Sequence, residues 1–229
     1  MTPAFTPADW RDIDLVAFDV DGTLYSQNSL RLRMARDMVI DTVATRHLGT
    51  IKVLGSYRRI RERLAAAEVA DFERTLIAET AKATSTTPER VHAIVSEWIE
   101  TRPLHYLRAC VYAGVPQLFE GLQRADKKIG IFSDYPAKDK LAAMELPVDH
   151  VVSAGEVGLL KPHAKGLQYL MNLAGTTARA TLFIGDRSDR DGLAGQRAGV
   201  RVLIRSAQPI EGFQTFKTFR DPLFAPFIP

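Results

Sequence analysis

Residues 13–24, Ile-Asp-Leu-Val-Ala-Phe-Asp-Val-Asp-Gly-Thr-Leu, run from an apolar stretch into two acids and a glycine. The first eight are mostly apolar and lead into turn formers, the pattern of a strand buried on both faces. Four later runs read the same way: 128–133 (KIGIFS), 150–154 (HVVSA), 180–185 (ATLFIG) and 201–205 (RVLIR). Helix-like segments separate them. Residues 116–126 place Leu118, Phe119 and Leu122 on one face, and 162–173 carry Leu167, Leu170, Met171 and Leu173. Residues 136–144 and 191–198 fill the remaining gaps. Strands alternating with helices in this half predict βα units and a doubly wound α/β parallel sheet, covered on both faces.

Between the first strand and this half lies a block of another kind. Residues 25–110 contain no convincing strand. Leu30, Met34 and Met38 recur every four residues, and Tyr57, Ile60 and Leu64 form a helical stripe. Val91, Ile94, Val95, Trp98 and Ile99 repeat at i, i+3, i+4, i+7 and i+8, a strong amphipathic helix signal. Thr86 and Glu89 have capping-box spacing, Pro88 falls in the first turn, and Pro103 marks an expected stop. The reading is an all-helical block inserted after the first strand.

Composition sets the outer limits. The chain has 229 residues, of which 46% are apolar and 25% charged, so it has the make-up of a globular protein. The longest charge-free stretch, 166–178, is 13 residues, too short to span a bilayer. No basic segment leads into an apolar run at the N-terminus, so a cytoplasmic protein is expected. The single cysteine, Cys110, excludes an intramolecular disulfide framework and a multi-cysteine metal site. From Phe213 to the end, five of 17 residues are Phe. Packing of this tail on its own domain is the favoured reading, and a partner contact, as in a homodimer, is the other.

The chemistry gathers at strand ends. In open α/β sheets ligands bind beyond the carboxyl ends of the strands. Positions i and i+2 of an extended chain point the same way, so Asp19 and Asp21 both face that crevice. Two close carboxylates repel, and Mg²⁺, which takes one or two carboxylates plus water and phosphate oxygens, relieves this well. A plain strand-ending turn also explains Asp-x-Asp-Gly, because Asp and Gly are turn residues. Acids follow the fourth run as well, at Asp186, Asp189 and Asp191. A helix start explains the last two, but it explains Asp186 less well. Ser133 ends the second run, and Lys161 follows the third after a glycine-containing loop. Each is weak evidence by itself. Their shared position at the ends of parallel strands is what a solvated surface does not supply.

Together the DVDGTL string, Ser133, the Lys161-Pro162 pair and the acids from Asp186 to Asp191 resemble the haloacid dehalogenase superfamily of hydrolases, in that order and over nearly the whole chain. The resemblance implies a Rossmann-like core at 1–24 and 111–229 with a helical cap at 25–110. It implies that Asp19 is a nucleophile and Asp21 a general acid/base. Gly22, Thr23, Ser133 and Lys161 would bind the phosphoryl group, and Asp19, Asp21, Asp186 and Asp191 would serve a Mg²⁺ ion. Asp189 matches no fixed role. Asp134 after Ser133, where Asn is frequent, and His163 after Pro162 depart from the commonest phosphatase pattern. Members that cleave carbon–halogen bonds lack an acid equivalent to Asp21, so the resemblance favours a phosphatase acting on a small phosphomonoester. A phosphomutase would keep the same residues, and a catalytically silent phosphate-binding protein is a further alternative.

The net charge of +3 is uneven. Nine Arg or Lys fall between Arg31 and Arg63, densest at Arg58, Arg59, Arg61 and Arg63, against three acids. A solvated helix face is the bland reading, and contact with a distal anionic group of a small phosphorylated metabolite is the sharper one. Aromatics are not interleaved with the run apart from Tyr57, and no nucleic-acid motif accompanies it, so neither nucleic acid nor a membrane is an expected partner. His47, His92 and His105 have no ligand spacing and read as surface or packing residues.

Overall fold

The computed structural model describes residues 4–45 and 49–228. Strand β1 (Leu15–Phe18) is followed by helices α1 (Gln27–Thr45), α2 (Gly49–Ala66), α3 (Phe72–Thr84), α4 (Pro88–Val95) and α5 (Leu104–Leu107). Then come α6 (Val115–Arg124), β2 (Lys128–Ser133), α7 (Lys138–Met144), β3 (His150–Ser153), α8 (Ala154–Val157) and α9 (Lys165–Ala174). The chain ends with β4 (Thr181–Gly185), α10 (Leu193–Ala198), β5 (Arg201–Arg205) and β6 (Gln214–Phe216). All six strands are parallel, in the order β3-β2-β1-β4-β5-β6.

The strands alternate their side chains between two apolar layers. Val16 and Phe18 of β1 enter the layer that holds Val115, Leu118, Phe119 and Leu122 around α6. Leu15 and Ala17 enter the opposite layer with Leu167, Leu170 and Met171 of α9. Burial on both faces explains why β1 has no polar residue among its four. With β1 central, the chain first winds outward through β2 and β3. It then crosses back to β4 on the other side, so the winding reverses between β1 and β4. Such a reversal opens a crevice at the carboxyl ends of the strands.

Helices α2, α3 and α4 form a second apolar cluster. Val53, Leu54, Tyr57 and Leu64 of α2 meet Phe72 and Leu76 of α3 and the predicted stripe Val91, Ile94, Val95, Trp98 and Ile99, all buried. Thr87 caps α4 by accepting a hydrogen bond from the Arg90 amide at 3.3 Å, one position later than the capping-box spacing suggests. Pro103 does not stop the helical path. Residues Ser96–Thr101 form a wide turn in which the Arg102 amide bonds back five residues to the Glu97 carbonyl, at 2.9 Å. Pro103 therefore sits in a helical conformation and the chain coils on into α5.

Two expectations at the C-terminal end have clear outcomes. Phe216, Phe219, Phe224 and Phe227 are buried against the main core, with Phe216 and Phe224 ring centroids 4.9 Å apart. Trp10, near the N-terminus, packs edge-on to Phe227 and donates its indole N–H to the Leu223 carbonyl at 2.6 Å. Strand β6 was not legible, because Gln-Thr-Phe is neither apolar nor long, and it adds only three residues to the sheet edge. No helix among the described residues is long and apolar enough to cross a membrane. His92 and His105 are exposed, whereas Arg46 and His47 lie outside the described residues.

Candidate active site

The site begins where β1 runs out. The Asp19 amide still bonds to the Ile184 carbonyl of β4 at 2.9 Å, so its side chain leaves the sheet in a fixed direction. The chain then turns sharply, with the Leu24 amide reaching the Val20 carbonyl at 3.1 Å. Gly22 sits at φ +99°, in the left-handed region that side chains disfavour. A Cβ there would lie 2.2 Å from an Asp186 carboxylate oxygen. Glycine thus lets the turn after β1 press against the acid at the end of β4. Arg205 holds that turn from β5 by donating to the Gly22 carbonyl at 2.9 Å and 3.1 Å.

Three carboxylates converge across the reversal of the sheet. One oxygen each from Asp19, Asp186 and Asp191 lie within 4.8 Å of one another. Asp191 belongs to a widened turn before α10 and folds back, accepting from the Asp186 and Arg187 amides at 3.1 Å and 2.9 Å. Gly185 makes room for it, since a Cβ there would meet the Asp191 Cβ at 2.3 Å. Lys161 stands between the acids, its Nζ 2.5 Å from Asp19 and 2.6 Å from Asp191. Thr23 is fully buried and donates to the other Asp19 oxygen at 2.9 Å.

One ammonium among three carboxylates leaves an excess of negative charge. Burial, and then the surrounding acids, push the Asp19 carboxyl well above its ordinary value. Burial and the Asp191 charge push Asp186 up to about 6. Burial acts against the Lys161 charge, but Asp19 and Asp191 outweigh it and hold the ammonium protonated. Three converging hard oxygen donors, of which Asp19 and Asp186 resist ionisation, fit a hard divalent cation, whose charge favours the anions.

Asp21 lies apart from this triad. It lines the same cavity, but its carboxylate accepts from the Lys140 ammonium at 2.6 Å and 2.8 Å and from the Tyr25 hydroxyl. Burial raises its pKa, yet the Lys140 charge and these hydrogen bonds win and bring it below the ordinary carboxylate range. The Asp21 carbonyl accepts from Gln27 at 2.7 Å. Ser133 is fully buried at the end of β2, where its hydroxyl accepts from the Tyr135 amide at 3.2 Å, and it does not line the cavity. Asp134 accepts from the Lys161 amide at 3.1 Å, which ties the loop after α8 to the end of β2. Asp189 is exposed and paired with Arg187 at 2.8 Å, away from the triad.

The sequence did not single out Lys140, Tyr25 or Arg190. Lys140 is buried on α7 and reaches the site only because of where α7 packs, against α5. Its one sequence hint is a lysine in the helix that follows a site strand, two residues after Lys138. Arg190 is buried too, donating to the Lys161 carbonyl at 3.0 Å and to Glu62 of α2 at 2.7 Å. Of the eight described basic residues between Arg31 and Arg63, Arg31, Arg58 and Arg61 line the cavity. Arg61 is stacked 3.9 Å over the Tyr135 ring and donates to the Asp134 carbonyl. Arg63 faces away and pairs with Glu79.

The haloacid dehalogenase-like hydrolase family model matches residues 13–199. No curated protein sequence matches. Solved structures with the same fold include a 2-haloacid dehalogenase from Pseudomonas syringae pv. Tomato DC3000, with TM-score 0.61 and 18% identity over 90% of this chain and 95% of that one. The HAD-hydrolase YfnB from Bacillus subtilis, bound to magnesium, has TM-score 0.65 and 14% identity over 90% and 95%. CbbY from Rhodobacter sphaeroides, in complex with phosphate, has TM-score 0.62 and 14% identity over 94% and 99%.

Proposed function

Because the chain belongs to the haloacid dehalogenase-like hydrolases, we propose that it is a magnesium-dependent phosphatase that hydrolyses a small phosphomonoester through an aspartyl-phosphate. One observation carries the reading. Two carboxylates two residues apart enter one cavity in opposite electrostatic states. Asp19 sits in the acidic triad beside Lys161, and Asp21 is held apart on Lys140.

Asp19 is the nucleophile. Thr23 and Lys161 fix its two oxygens, and attack on phosphorus splits the hydrolysis into two easier steps. Asp19, Asp186 and Asp191 would hold Mg²⁺, which when bound would supply Lewis-acid neutralisation of the phosphoryl oxygens. Lys161 adds its own positive charge beside the attacking carboxylate. Asp21 starts as a carboxylate on Lys140. It takes a proton from solvent as the ester binds beside it, delivers that proton to the leaving oxygen, and then accepts one from the incoming water. Residues 25–110 act as the cap that roofs this reaction.

The test is a phosphate-release screen over small phosphomonoesters with Mg²⁺, with Asp19→Asn as control. Release by the wild type alone supports the reading, and equal release by the variant rejects it. Carbon–halogen hydrolysis is the competing chemistry, since a dehalogenase shares the fold. It has no leaving group that needs an acid, and so no use for Asp21. Halide release from a 2-haloacid at a rate above phosphate release would favour it.

A further inference from the structure

We propose that the ester's leaving group is an alcohol with a predominantly apolar body, an alkyl or aryl chain and not a polyol. The inference rests on the phosphatase reading and concerns the upper part of the same cavity. That cavity measures about 670 Å³, far more than a phosphoryl group needs and within the usual range for sites that enclose a whole small molecule. Its floor is the charged cluster. Its roof is carbon: Leu30, Met34 and Met38 of α1, Leu54 of α2, and Trp98 and Ile99.

The roof offers a polyol little to bond. Of the six roof residues only Trp98 carries a side-chain donor, and two of the three arginines that line the cavity, Arg31 and Arg61, already have partners. Arg61 is committed to Tyr135 and the Asp134 carbonyl. Arg31 donates to Gln27 at 2.6 Å, and Gln27 donates onward to Asp21. Arg58 is exposed. A sugar-like leaving group would give up its water hydrogen bonds and find few replacements, a desolvation cost that an alkyl or aryl group avoids. Each methylene laid against the roof should instead gain up to about fourfold in kcat/KM. Met34 and Met38 suit this role because an unbranched thioether adapts to varied apolar shapes.

The experiment compares straight-chain alkyl phosphates from ethyl to hexyl, whose leaving groups differ little in acidity, with a hexitol monophosphate. For the wild type with Mg²⁺, kcat/KM should rise about tenfold or more along the alkyl series. The hexitol ester should fall at least about tenfold below the hexyl ester. Met34→Gln and Met38→Gln alter half-buried roof residues and should each flatten the chain-length slope, while Leu173→Gln, on the exposed side of α9, should keep it. A flat series in the wild type, a hexitol ester that matches hexyl phosphate, or a slope unchanged in both methionine variants overturns the apolar assignment and leaves the phosphatase reading standing. Hydrolysis of none of these esters, nor of an aryl phosphate, rejects the phosphatase reading and this inference with it.

Discussion

The floor and the roof of the cavity are built on opposite principles. On the floor most charged side chains are tied. Lys161 bridges Asp19 and Asp191, Lys140 holds Asp21, and Arg205 pins the Gly22 turn. The roof is mostly apolar side chains from helices, and its two methionines are half-buried, Met34 at the junction with the core. A charged cluster in low dielectric tolerates little variation, since removing one partner strands another. An apolar wall tolerates many solutions of similar volume. Reaction chemistry is thus fixed in the floor, and selection of the leaving group is free to change in the roof.

The sharpest way to break this contrast is to alter the floor's nucleophile. Asp19→Asn should lower phosphate release by about 10⁴-fold or more, because the covalent route is lost. It should barely move the melting temperature, since the amide oxygen still accepts from Thr23 or Lys161. Residual turnover within about tenfold of wild type would mean that the floor does not work through Asp19.

Lys161→Met probes the floor's charge balance. It strands Asp19 and Asp191 with no bonded ammonium, a change that costs about 3–5 kcal/mol in buried pairs. For a chain of this size the melting temperature should fall by about 10 °C. Mg²⁺ should recover part of the loss. Unchanged stability in metal-free buffer would show that the acids shed their charge without the lysine.

The cation itself sharpens the comparison further. Mg²⁺ at about 100 times its dissociation constant should stabilise the wild type by about 2.7 kcal/mol. Asp186→Asn should abolish most of that shift, because it removes one of the three converging oxygens. Thermal shift with and without Mg²⁺ reads this directly, with no turnover needed. A full shift in the variant would place the ion elsewhere.

How legible each region is in the sequence follows from the same contrast. Strands β1, β2, β4 and β5 stand out because they are largely apolar runs, and the acids after β1 and β4 are conspicuous against that background. The triad could be anticipated because parallel strands bring their carboxyl ends to one edge. Lys140 could not, since its role depends on where α7 packs and not on any spacing from Asp21. Asp21 itself illustrates the limit. Its alternation with Asp19 puts both acids in one cavity, but only the packing of α7 and Tyr25 separates their carboxylates. The roof was visible as amphipathic stripes, yet a stripe does not say which of its residues meet a cavity and which meet another helix. Leu64 and Met38 read alike in sequence, and Leu64 is buried in the helical cluster while Met38 lines the cavity.

The seam between the two regions gives the smallest effect. Glu62 of the roof helix α2 is gripped by Arg187 at 2.8 Å and Arg190 at 2.7 Å, both from the turn that carries Asp191. The hydrogen bond from Arg187 is the main cause that holds the Glu62 carboxyl down at about 2, against burial. Its folded pKa lies below the unfolded value near 4.5, so the clasp stabilises fully above that value and is lost as pH falls toward 2. About half of the Glu62 side chain is exposed, and water screens it, so Glu62→Gln should cost only about 1 kcal/mol at pH 7. Urea unfolding of wild type and variant should show that difference intact at pH 5 and reduced by half or more at pH 3. Groups common to both proteins cancel in the difference, which isolates the clasp from general acid denaturation. A difference that stays constant down to pH 3 would mean that roof and floor are held together by their apolar contacts alone.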